Sequence, residues 1–263
     1  MLLLAIPFGL AIGLAVGTFG GGGSVLAVPV LVYVLDQTVP EATTASLLVV
    51  AAGAIAGGLS HARAGSVCWR HAGSFTAAAI PGVAAGTLAA EAVSGTLLLA
   101  GFALVMLAAA HATWRTADDS EPDGPWERTG ACPPLRLPRD LVAGAAVGFV
   151  TGFFGVGGGF LIVPTLAIAL AFTMRTAVGT SLVIITATSL LGLGAHLLAG
   201  RSIEVDVTAA LTVACVAGAV AGAALASRIP QRALGRGFAL LVVVVAGYLL
   251  VSVAFLDGPP GAG

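Results

Sequence analysis

The sequence predicts an all-α integral membrane protein made of two homologous halves in an inverted-topology repeat. Each half opens with a Gly-broken helix or re-entrant hairpin and continues through three spanning helices. Three observations predict this: uncharged apolar runs fill the chain, a glycine-rich segment recurs at a fixed offset, and the arginines gather on one side of the implied topology.

Of the 263 residues, 58% are hydrophobic and 9% are charged, whereas water-soluble domains carry about 25% charged residues. Uncharged runs cover 1–35, 42–60, 72–90, 92–114, 141–174, 176–200, 207–227 and 237–256, and a spanning helix needs about 20 such residues. In hydrocarbon the backbone must satisfy its own hydrogen bonds, and these runs are continuous rather than alternating, so they describe helices and not a barrel. The lipid bilayer is therefore the first partner, with the cytoplasmic (inner) membrane as the expected location. Residues 1–23 have no Lys or Arg ahead of their apolar stretch and another membrane segment follows at once, so they read as part of the bundle rather than as a secretory signal. A net charge of −1 provides no basic surface for nucleic acid.

The segment from Gly17 to Pro29 reappears 135 residues later as Gly152 to Pro164, and the same offset pairs Ser46 with Ser181 and His61 with His196. Self-similarity at a fixed offset marks a duplicated unit. The chain divides into a first transmembrane repeat at 1–114, a polar linker at 115–140, a second repeat at 141–256 and a short tail at 257–263. The opening uncharged runs, 1–35 and 141–174, are too long for one ordinary span and too short for two. If each broken element returns to the side it entered from, Arg63, Arg70, Arg115, Arg128, Arg136, Arg139, Arg175, Arg228, Arg232 and Arg236 share one side and Arg201 alone takes the other. If it passes through, the bias is much weaker. The positive-inside rule therefore favours return, inverted halves and a cytoplasmic linker.

Glycine loses more backbone freedom on ordering than any other residue and tolerates positive φ, so a helix should open at Gly20, Gly21, Gly22 and Gly23, and again at Gly155, Gly157, Gly158 and Gly159. Residues 24–35 and 159–172 would then be half-helices whose N–H groups and positive dipole ends suit an anion near the bilayer midplane. Ser24, Ser46, Thr180 and Ser181 would add hydroxyls to that substrate site. Helix packing is the competing explanation for the glycines, and back-bonding within the helix is the competing explanation for the hydroxyls. His61 and His196, at matched helix ends, are candidates for gating or proton relay. Asp36, Glu41, Glu91, Glu204 and Asp206 all lie at span ends, so a buried carboxylate for a coupling ion, proton or sodium, is not evident. Cys68, Cys132 and Cys215 show no pairing by spacing, which indicates neither a disulfide framework nor a metal site. No cofactor is implied.

The motifs Gly17-x-Phe19-Gly20-x-Gly22-Gly23 with Pro29, and Gly152-x-Phe154-Gly155-x-Gly157-Gly158-Gly159 with Pro164, resemble the duplicated signature of the TauE/SafE sulfite exporter family, over nearly the whole chain. The resemblance implies a permease for sulfite, a sulfonate or another organosulfur anion. An anion channel and a permease for a non-sulfur carboxylate are the alternatives. A membrane enzyme would need a nucleophile, metal cluster or carboxylate pair within the spans, and none of the usual spacings occurs. Direction of transport and homo-oligomer formation stay open.

Overall fold

The computed structural model describes residues 2–90, 95–119, 132–154, 159–200 and 203–255. All regular structure in these segments is helical. Helix α1 (Leu2–Phe19) leads into a 3-10 turn at Gly20–Gly23, and α2 (Ser24–Pro29) follows with a π turn at Val30–Val34. Then come α3 (Val39–Arg63), α4 (Trp69–Ala90) and α5 (Gly95–Asp119). The second half repeats the order with α6 (Leu137–Phe154), α7 (Gly159–Pro164) and its π turn Thr165–Ala169, α8 (Met174–Leu198), α9 (Val205–Ala226) and α10 (Gln231–Phe255). Among the described residues, six apolar stretches in helices are long enough to cross a membrane, among them Glu41–Arg63, Trp69–Ala90, Met174–Leu198 and Val205–Ala226.

Local chemistry explains the shared irregularities. Proline has no N–H and crowds the carbonyl four residues back, and directly after Pro29 and Pro164 the chain widens into a π turn. The widened segments end alike. Asp36 and Ala171, 135 residues apart, both have φ of 55°, and Gln37 N–H and Phe172 N–H reach back to the carbonyls of Leu31 and Leu166. The helices after them are capped at matching threonines. Thr38 Oγ1 donates to Glu41 at 2.7 Å, and Thr173 Oγ1 accepts from the Thr176 N–H at 3.3 Å.

The halves interlock by exchange. Helix α1 packs most closely on α9 of the other half, α6 on α4, α3 on α8 and α5 on α10. Gly9, Gly13 and Gly17 lie against the backbone of Leu211, Cys215 and Ala219, and Gly144, Gly148 and Gly152 against Phe75, Ala79 and Val83. Both partners ascend in number together, so α1 runs parallel to α9, and α6 to α4. Small residues four apart permit this backbone approach, which is how helices associate where lipid removes the hydrophobic driving force. Along α3 and α8 the numbers oppose: Gly58 faces Leu182 while Leu47 faces Gly192. These equivalent helices are antiparallel.

Candidate functional site

The first glycine segment, and Gly159 at the end of the second, are packed interior structure. Gly20 to Gly23 are all buried, and Gly20 has φ of +66°, a left-handed conformation that costs other residues about 1–2 kcal/mol. Each of the four meets something different. A Cβ on Gly20 would sit 2.5 Å from Ser181 Oγ, and one on Gly21 would collide with the Gly159 carbonyl. Gly22 faces the side chains of Leu241 and Phe238. Position 23 faces the backbone of Val16 and Ile12, seven and eleven residues back along the chain in α1. The halves therefore touch at Gly20, Gly21 and Gly159, whereas Gly23 is spaced for helix packing. Gly155, Gly157 and Gly158 lie outside the described residues.

The hydroxyls are present but engaged. Ser181 Oγ donates to the Val178 carbonyl at 2.8 Å and Ser46 Oγ to Thr43 at 2.8 Å, each within its own helix. Ser24 Oγ donates to the Gly21 carbonyl at 2.7 Å and lies 2.8 Å from where a Cβ on Gly159 would be. Ser24 and Ser181 thus flank the meeting point from opposite halves, each with lone pairs and a rotatable O–H. Thr180, fully buried, accepts from the Cys68 N–H at 3.1 Å and so anchors the α3–α4 turn. His61 and His196 sit at opposite ends of the antiparallel α3–α8 pair. His61 Nε2 lies 3.1 Å from the Gly17 carbonyl, which can only accept, so this nitrogen carries the proton. His196 Nδ1 lies 3.0 Å from Thr44 Oγ1.

Two sequence expectations are corrected. Cys68 and Cys132 form a disulfide, with Cα atoms 5.7 Å apart across a separation of 64 residues; Cys215 is buried and free. Spacing could not reveal the pair, because the tight turn after α3 and the approach to α6 meet only in three dimensions. The second correction concerns buried carboxylates. Asp140 is fully buried in the first turn of α6, and its Oδ1 lies 2.6 Å from Nδ1 of buried His71. His71 Nε2 in turn meets the Pro133 carbonyl at 3.0 Å, and its ring stands edge-on to Phe172. Nε2 must be an N–H, and 2.6 Å between Nδ1 and Oδ1 requires a proton between them, so the pair is neutral as a whole. Among the described residues Asp140 Oδ2 has no hydrogen-bond partner. The signal was a carboxylate one residue ahead of an uncharged run, which reads as exposed until a partner is known. Among the described residues no group of three or more His, Cys, Asp or Glu is placed to hold a metal.

Comparison with known proteins bears on the whole chain. A family model described as "Sulfite exporter TauE/SafE" matches residues 5–249. A "Probable membrane transporter protein" of Xylella fastidiosa (strain 9a5c) is 35% identical over 255 residues, covering 95% of each chain. A protein so described from Methanocaldococcus jannaschii is 30% identical over 207 residues, 76% of this chain and 73% of its own. No solved structure matches the chain.

Proposed function

The chain belongs to the sulfite exporter TauE/SafE family, and from that premise we propose that it is a secondary transporter for a small oxidised sulfur anion, bound where the two glycine segments meet. The observation that carries the reading is the contact of Gly20 and Gly21 with Ser181 and Gly159. There, Gly20 and Gly21 of the first break meet Ser181 of α8 and Gly159 at the start of α7, and half-helix N-termini so placed suit an anion. The packed Gly21–Gly159 contact is read as an occluded state, and an anion enters by displacing it. The Oγ hydrogens of Ser24 and Ser181 then turn from the backbone carbonyls to the ligand.

The halves act as an inverted repeat. Two facts support this: equivalent helices α3 and α8 are antiparallel, and position 23 packs back along α1, as a re-entrant hairpin requires. With return at both breaks, the ten arginines from Arg63 to Arg236 other than Arg201 fall on one face, which the positive-inside rule makes cytoplasmic.

The test is ligand-dependent stabilisation of detergent-purified protein by sulfite, thiosulfate, sulfonates and carboxylates, since a ligand that binds only the folded state raises its melting temperature. Saturable counterflow of the stabilising anion in proteoliposomes is the expected companion result. Stabilisation by carboxylates alone would reassign the substrate class, and flux without counterflow would make the protein a channel.

A further inference from the structure

We propose that the arginine-rich face of the second half carries a binding site for one anionic glycerophospholipid, with the head held beside Arg136, Arg139 and Asp140 and one acyl chain laid along α6. Two adjoining cavities define it. The first is an apolar groove of about 640 Å³ between α5, α6 and the α7 element, walled by residues such as Val105, Val142, Ala143 and Leu161. The second is a polar pocket of about 170 Å³ bounded by His71, Pro133, Arg136, Arg139 and Asp140. Arg139 lines both. An apolar slot joined at a shared arginine to a polar pocket has the chemistry of an amphiphile.

Dimensions and charge agree on the occupant. The groove follows α6 from Pro138 to Val150, roughly 18 Å at ~1.5 Å per residue, against ~15 Å for one leaflet of a ~30 Å hydrocarbon core. Its wall is open to the bilayer, as the strongly exposed Val142 shows. In the head pocket the His71–Asp140 pair is neutral as a whole, so the two guanidinium groups leave net positive charge facing a phosphate. Asp140 Oδ2, buried and without a partner among the described residues, accepts from a hydroxyl of a glycerol head. Basic pockets between helices at the cytoplasmic boundary recognise anionic head groups in this way.

The symmetry-related position, between α10, α1 and α2, carries different side chains. At the repeat offset, Ala143 corresponds to Phe8, Arg139 to Leu4 and, with the one-residue shift, Val105 to Leu241. Phe8 packs against the core, and Leu241 reaches Gly22. The slot therefore has smaller side chains at positions 105 and 143 than its symmetry counterpart, and an arginine at its mouth. Because Leu161, Thr165 and Ala169 of the hairpin also line the slot, a seated chain braces one moving element and not its counterpart. The site rests on this face being a membrane–water boundary, and not on which anion is transported.

The experiment is native mass spectrometry of the delipidated full chain titrated with phosphatidylglycerol or phosphatidylcholine of identical tails. Wild type should hold one phosphatidylglycerol at least tenfold more tightly than phosphatidylcholine. Arg139→Gln should weaken phosphatidylglycerol about fivefold, the scale of one arginine at a membrane surface, while Arg63→Gln on the same face should not. Ala143→Phe, which installs the first half's residue, should abolish the tight site; where that variant does not fold, Arg139→Gln decides. Equal retention of the two lipids by wild type, or unaltered retention by Arg139→Gln, overturns the proposal. Full competition by soluble glycerol 3-phosphate also overturns it, since the site would then serve a free phosphate ester.

Discussion

Removing one member of the His71–Asp140 pair should be far more damaging than removing both. The two side chains are 3% and 0% exposed, 2.6 Å apart, and His71 is held from its other nitrogen by the Pro133 carbonyl. In Asp140→Leu, Nδ1 loses its only acceptor while Nε2 must still donate. If the ring becomes neutral, a buried lone pair is stranded, costing about 1–3 kcal/mol. If it stays protonated, an uncompensated buried charge costs about 3–5 kcal/mol. His71→Phe takes the partner of Asp140 Oδ1 from a carboxylate whose Oδ2 has none among the described residues, so it belongs in the upper range. The double variant His71→Phe/Asp140→Leu removes both polar groups, and such apolar replacement is often neutral or stabilising. A double-mutant cycle by equilibrium unfolding in mixed micelles should therefore give a coupling energy of about 1–3 kcal/mol, with the double variant more stable than either single one. Near-additive losses, or two single variants as stable as wild type, would refute the pairing argument.

Three further outcomes are expected. Gly13→Ala should destabilise by more than 1 kcal/mol because its Cβ would enter the Cys215 backbone, whereas Gly73→Ala, with nothing within 4 Å, should stabilise by about 0.5–1 kcal/mol; equal thermal unfolding of the two would undo the packing assignment. Cys132→Ser, or reduction, should cost about 2–4 kcal/mol relative to the oxidised protein given the 64-residue separation; because the pair lies on the face proposed as cytoplasmic, where thiols are kept reduced, intact-mass measurement finding two free thiols at Cys68 and Cys132 after exposure of the purified protein to a mild oxidant would contradict the bond. Ser24→Ala and Ser181→Ala should each weaken the stabilising anion by about 1 kcal/mol, the scale of one hydrogen bond, with melting temperature in its absence little changed. Unaltered affinity in the double variant would return both hydroxyls to helix back-bonding, the role in which Ser46 is also seen.

The prediction of a helical membrane protein needed no tertiary information, because it follows from how little charge the chain has to set against its apolar length, and the family was legible in two glycine motifs. Local irregularity in the first half was legible too, since Gly20–Gly23 and Pro29 act on their own backbone, in a 3-10 turn and ahead of a π turn. Partners were not. Gly20 and Gly23 are chemically identical, yet one meets Ser181 and the other the backbone of α1. Gly9, Gly13 and Gly17 have the spacing of four of a helix contact, but only the fold names Leu211, Cys215 and Ala219 as what they meet. Asp140 fell within the polar linker until α4 brought His71 to it, and Cys68 and Cys132 looked unrelated until the same two elements met. A local sequence determines which residues can break, cap or cross a membrane, because those effects act within a few residues along one chain. Which groups become buried, paired or aligned along a cavity is decided when α4 of one half packs on α6 of the other, and no periodicity within either helix encodes that encounter.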